Sequence, residues 1–172
     1  MMSTRCRLCF QIIPLALLLP FGCQQANNPV PLDIAMKLQK AGKTDQAIAL
    51  LVLEDIEKNC QASSLRTLKM SEKQFISLNR WSRSNAHEES VLMLPLIKKA
   101  ASLQIENMQA AQAAGLSAES KEIQKQLQRL IRFLQDKNRL LIYQQLGIII
   151  EKKLNQAPAN KETGKTDSTD AD

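Results

Sequence analysis

SAESKEIQKQLQRLIRFLQDKNRLLIYQQLGIIIEKKL, residues 117–154, decides the fold. Ile123, Leu127, Leu130 and Leu134 recur at spacings of four, three and four, so they share one face of a helix. Ser117 stands where a cap is expected, and Asp136 is expected to cap a final helix carrying Leu140, Leu141, Leu146, Ile149, Ile150 and Leu154. So few residues separate these two helices that they must pack antiparallel. Gly147 costs about 1 kcal/mol against Ala inside a helix, and its expected use is to let a neighbouring helix approach. The Ile123–Leu134 seam spans only about two heptads, short of a coiled coil, so burial within the domain is expected.

The same periodicity continues upstream. Leu32 to Ala41 forms a short helix with Ile34, Leu38 and Ala41 on one side, and Gly42 is a suitable stop. Thr44 is expected to cap the next helix, in which Ala47, Ile48, Leu51, Val52 and Ile56 recur at helical spacing. Residues 61–71 read as a loop, although Leu65, Leu68 and Met70 alternate as in a strand. Ser71 with Gln74 makes a capping box, predicting a helix over 72–81 that buries Phe75, Ile76 and Leu78; Trp81 is expected in the core, the other reading being an aromatic anchor presented with Phe75 to a partner. A break is expected over Ser82–Asn85. A helix then runs from His87 to Ala114 with a kink or restart near Pro95, where proline costs about 3 kcal/mol, and Gly115 closes it. The expected fold class is all-α, a small bundle of five to six helices arranged as antiparallel hairpins over 32–154. The polar segment 155–172 is expected to be a disordered tail.

Composition agrees. Of 172 residues, 44% are hydrophobic and 23% charged, enough for one modest domain. With 5 glycines and 6 prolines, collagen-like and turn-rich all-β architectures are excluded. The one histidine, His87, excludes multi-histidine metal sites. HExxH, GxSxG and phosphate-cradling glycine loops are absent from the sequence. His87 has Glu88 and Glu89 as neighbours and Ser84 and Ser90 close by, but consecutive helical residues do not face one another. No catalytic residue, metal or cofactor is expected.

The N-terminus carries a different signal. Arg5 and Arg7 precede an apolar run from Phe10 to Leu19, interrupted by Pro14 and too short for the ~20 residues of a spanning helix. Residues 1–22 read as a secretory signal and 23–31, with Pro29 and Pro31, as a tether. The Gly22–Cys23 pair closing the run resembles the lipobox of bacterial lipoproteins; Pro20 and Phe21 stand where that family has Leu and a small residue. The resemblance implies acylation of Cys23, export to the cell envelope and attachment to a membrane through lipid. Signal cleavage nearby and a retained signal anchor remain as alternatives. Cys6 and Cys9 fall in the discarded segment. If Cys23 escapes acylation, a disulfide with Cys60 is open to it in an oxidising compartment.

Residues 31–59 resemble a tetratricopeptide helix-turn-helix unit through Ala35, Leu38, Gly42, Ala47 and Leu51, departing from it at Glu54 and Asn59. This implies capture of a protein or peptide partner between helices; an ordinary amphipathic hairpin is the plainer reading.

Charge gives the last clue. The chain is +6 overall; the leader takes two arginines and the tail holds −2, leaving residues 23–154 at about +6. Lys121, Lys125, Arg129 and Arg132 form a basic stripe on the helix of the leucine seam, a candidate contact for anionic lipid or envelope polymer. The other reading is a solvated helix face. Nucleic acid is not expected as a partner of an exported chain. The role expected is a membrane-anchored, non-enzymatic interaction or structural module with a protein partner, or else an enzyme accessory subunit.

Overall fold

The computed structural model describes residues 29–157, so the signal segment, Cys23 and residues 158–172 of the tail lie outside the described residues. The fold is all-α. Among the described residues seven α-helices run in order: α1 Pro31–Lys40, α2 Thr44–Val52, α3 Ile56–Ala62, α4 Glu72–Ser77, α5 Arg80–Ala113, α6 Ser117–Leu134 and α7 Leu141–Gln156. A 3-10 turn, Arg66–Lys69, joins α3 to α4.

The long helix α5 is the axis of the molecule, touching α1, α2, α4, α6 and α7. It buries Met93, Leu96, Ile97, Ala100, Ala101, Ile105 and Met108. Gly115 adopts φ 76°, and the Leu116 N–H reaches back to the Ala111 carbonyl at 2.8 Å, ending the helix and turning the chain into α6. Gly42 does the same at φ 73° between α1 and α2, with the Lys43 N–H on the Leu38 carbonyl at 2.9 Å. Both glycines act as the sequence predicts. Tyr143 of α7 meets Ser90 of α5, and Lys153 meets Glu106. The residue order rises together in both contacts, so α5 and α7 run parallel and α6 runs antiparallel between them. These three helices form an up-down-up bundle, and the α1–α2 hairpin with α3 covers its remaining side.

The leucine seam is where its periodicity places it. Leu127, Leu130 and Leu134 are buried, and Ile123 packs against the core at its edge. Gly147 also meets its expectation: a Cβ there would lie 2.8 Å from Gln135 Cγ and 3.2 Å from Leu134 Cβ. The α6–α7 contact is set by that missing methyl.

Several local expectations are corrected. The expected loop near Ser82–Asn85 is continuous helix; the break is at Leu78–Asn79, where the Asn79 side chain accepts the Ser82 N–H at 2.8 Å. Polar residues at 82–85 occupy a wet helix face rather than a gap. Helix α5 passes through Pro95 without a restart. Thr44 and Ser117 are first helical residues, not caps, and make no side-chain cap bond. Asp136 does not open the last helix; its carboxylate takes the Asn138 N–H at 2.9 Å, and α7 begins at Leu141. The count rises to seven because Asp55 caps a further helix, α3, through the Lys58 N–H. Of Leu65, Leu68 and Met70, Leu68 lies in the 3-10 turn and the other two flank it in extended conformation. Trp81, expected in the core, is 76% exposed, and Ile76 is 61% exposed.

Polar side chains tie the hairpin layer to the bundle. Buried Gln104 of α5 donates its amide to the Val52 and Glu54 carbonyls at 3.3 and 2.9 Å, satisfying the C-terminal end of α2. Asp33 of α1 accepts from the Ser63 hydroxyl and from the Ser64 N–H at 3.2 Å. Replacing Gly147 by Val should lower stability by about 1–3 kcal/mol through overpacking, despite the better helix former. Urea denaturation checks it; an unchanged or raised midpoint would show that the helix approach is not limiting.

Candidate functional site

Three surfaces hold chemistry worth testing for function. The first lies between α2 and α5. The run Ala47–Leu53 is wholly apolar, and a helix can bury only one face of it. Ala47 and Leu51 go to the core, leaving Ile48, Ala49, Val52 and Leu53 to line a groove with Leu103 of α5. The groove measures about 410 Å³, with Asp45 and Lys99 also lining it. Leu53 stands at its side 86% exposed. Sequence reading missed this groove, although seven consecutive apolar residues on a short helix were its signal.

The second surface is the basic stripe of α6. Lys121, Lys125 and Arg132 are exposed. Arg129 is not part of that outward face. Its Nη2 lies 2.5 Å from Asp55 Oδ2, and its Nε lies 3.9 Å from Glu57 Oε2, so it ties α6 to the start of α3. The structure therefore leaves three of the four predicted cations facing outward.

The third surface surrounds His87, which lines a cleft of about 250 Å³ with Glu72, Phe75, Ser90, Leu140, Leu141 and Ile142. The Ser90 hydroxyl lies 3.0 Å from the Ala86 carbonyl and 3.1 Å from the Tyr143 oxygen. Tyr143 donates to Thr67 Oγ1 at 3.1 Å, and the Thr67 hydroxyl donates to the Glu89 carboxylate. Each hydroxyl has one proton, so donation runs from Tyr143 through Thr67 to Glu89, with the Ser90 hydroxyl beside the phenol oxygen and the Ala86 carbonyl. Such chains strengthen cooperatively in a low-dielectric interior. Ser90 and Glu89 thus serve this buried chain, and neither is paired with the imidazole. Sequence reading had no signal for it, because its members are brought together from three separated segments.

Two buried acids have shifted titrations. Burial pushes the Cys60 thiol from its ordinary 9.0 up to about 12, with the nearby Glu57 charge adding to the effect. Burial likewise pushes the Tyr143 phenol from 10.0 up to about 12, opposed in part by its bonds to Ser90 and Thr67. Cys60 is a free, fully buried thiol. Among the described residues no group of His, Cys, Asp and Glu side chains is arranged to hold a metal ion. No described helix is long and apolar enough to cross a membrane.

No protein-family model matches the chain, and neither a curated protein nor a solved structure matches it.

For both acids the folded state favours the neutral form. Their contribution to stability is complete below the unfolded values and is lost as pH rises toward the folded ones. These two groups should leave stability unchanged up to about pH 9 and lower it between there and about pH 12. Cys60→Ala should delay the onset of that fall, checked by urea midpoints along a pH series. A midpoint that begins to drop at the same pH in the variant would show that other groups set the alkaline limit.

Proposed function

We propose that this protein is a lipid-anchored, non-enzymatic interaction module of a bacterial cell envelope. Cys23 carries the lipid at the head of the 23–31 tether, and the α2–α5 groove receives an apolar segment of a protein or peptide partner. The observation that carries the reading is the groove. Leu53, Ile48, Val52 and Leu103 offer a continuous apolar lining, which isolated surface leucines would not form. It lies on the helical hairpin whose residues resemble a tetratricopeptide unit, and capture between helices is what that resemblance implies. The lipobox-like Gly22–Cys23 supplies the address. Three acyl chains, the number the lipoprotein resemblance implies, would hold the module far more firmly than the marginal binding of one.

Intact-mass analysis in a bacterial host tests the anchor. A diacylglyceryl adduct on a chain beginning at residue 23, absent from Cys23→Ser, is expected; an unmodified chain retaining Met1 would sink the address. Leu53→Glu tests the groove. Its side chain is exposed, so stability should change by less than about 0.5 kcal/mol. Partners recovered from detergent extract with the parent chain should be lost with the variant. An unchanged partner set would remove the groove from the function.

A further inference from the structure

We infer that the corner formed by α4 and the first turns of α5 is a docking surface for an anionic lipid bilayer. Ile76 and Trp81, 61% and 76% exposed, flank the joint between the two helices. Tryptophan is the side chain that settles at the headgroup level of a membrane, its ring buried and its N–H wet. Between Ser64 and His87 the chain carries Arg66, Lys69, Lys73, Arg80 and Arg83 against the single carboxylate Glu72. Glu72 is turned toward the Leu141 N–H at 3.3 Å. Arg83 donates to the Ile76 carbonyl and, at 2.9 Å, to the Leu78 carbonyl, holding the corner in shape while keeping its charge. Of the carboxylates just beyond, Glu89 accepts from Thr67, and the exposed Glu88 lies two turns along α5 from Trp81. The corner is therefore cationic around an apolar tip, complementary to an acidic headgroup layer.

The entry of the chain agrees. Asp33, in the first turn of α1, is bonded to Ser63 and Ser64, and Lys69 Nζ donates to the Ser63 carbonyl at 2.9 Å. The start of α1 thus lies beside the segment that leads into α4. Cys23 precedes Pro29 by six residues, a reach of at most about 20 Å at ~3.5 Å per residue. A lipid on Cys23 would hold this end of the bundle at the bilayer, so the inference deepens the anchoring proposed above. The surface itself stands on Trp81, Ile76 and the cations, and is tested without the anchor.

Trp81 is the single tryptophan of the sequence, so its fluorescence reports on this corner alone. The full chain carrying Cys23→Ser is mixed with vesicles of phosphatidylcholine, or of phosphatidylcholine and phosphatidylglycerol in equal parts. The apolar leader is free to bind either kind, but Trp81 emission should move to shorter wavelength only on the anionic vesicles, and high salt should reverse the shift. With two cations removed, Lys73→Gln with Arg80→Gln should need about thirtyfold more lipid for the same shift. Lys121→Gln with Lys125→Gln, toward the other end of the bundle, should titrate as the parent does. Emission that stays unmoved on both vesicles overturns the inference, as does an equal shift on both. A shift lost with the α6 pair but kept with the corner pair would transfer binding to α6 and overturn it too. Because the thiol is absent throughout, this result and the intact-mass result can fail separately.

Discussion

A helix of 34 residues, about 50 Å long at 1.5 Å per residue, cannot stand in water with leucine, isoleucine, methionine and alanine spread over so much of its circumference. That constraint on α5 organises the rest. One partner helix would cover a single stripe; α5 buries residues toward α6 and α7 and also toward α1 and α2. Each fully covered aliphatic side chain contributes about 1.5–3 kcal/mol, and Met93, Leu96, Ile97 and Ile105 are all covered. Gly115 permits the return of α6, the glycine in α7 permits its close approach, and Gln104 fixes where α2 stops. Where coverage ends, at the first turns of α5 and along the outer face of α2, large apolar side chains are left in contact with water.

The parts legible in the sequence are those with a strong local cause. Ile123, Leu127, Leu130 and Leu134 face inward because only one face of α6 is apolar, and no tertiary contact has to compete with that pattern. Gly42 and Gly115 are readable because a left-handed residue after a periodic segment has few other uses. The Ser71–Gln74 box is formed as read, with both reciprocal bonds. Boundaries set by choice between neighbouring polar residues were less readable. Asn79 and the run 82–85 offer several plausible stops, and the structure selects Asn79 because Arg83 is then free to reach the carbonyls at the end of α4. Helix α3 is only seven residues long, too short for periodicity to announce it.

The candidate surfaces were readable only as far as they were local. A basic stripe can be counted along α6, but the carboxylate that draws Arg129 out of it comes from Asp55, 74 residues away in sequence. The same Asp55 caps α3, so one side chain both starts a helix and fixes its place on the bundle. Arg139 behaves similarly, donating to the Leu68 carbonyl while lying 4.2 Å from the centre of the Phe133 ring. Cations at these layer boundaries make contacts between segments rather than facing solvent. Trp81 shows the converse: a side chain that composition assigns to the interior is left outside because α4, packing on the first turns of α5, does not cover it.

Geometry also separates the two cationic regions. Helices α5 and α6 are antiparallel and joined at residues 114–116, so Lys121 sits near the end of the bundle remote from Arg80. With the long axis upright on a flat surface, only one of these regions can touch it; both can do so only if α5 lies along the surface. If Cys23 carries the lipid proposed above, the α4–α5 end is the one it brings to the surface, because the start of α1 lies beside the segment that leads into α4. The α2–α5 groove, lined by Asp45 and Lys99, has no comparable excess of charge and would then be presented away from the cationic corner. On the proposed reading, lipid and partner would meet different surfaces, because the helix that separates them is too long and too well covered to bring the two together.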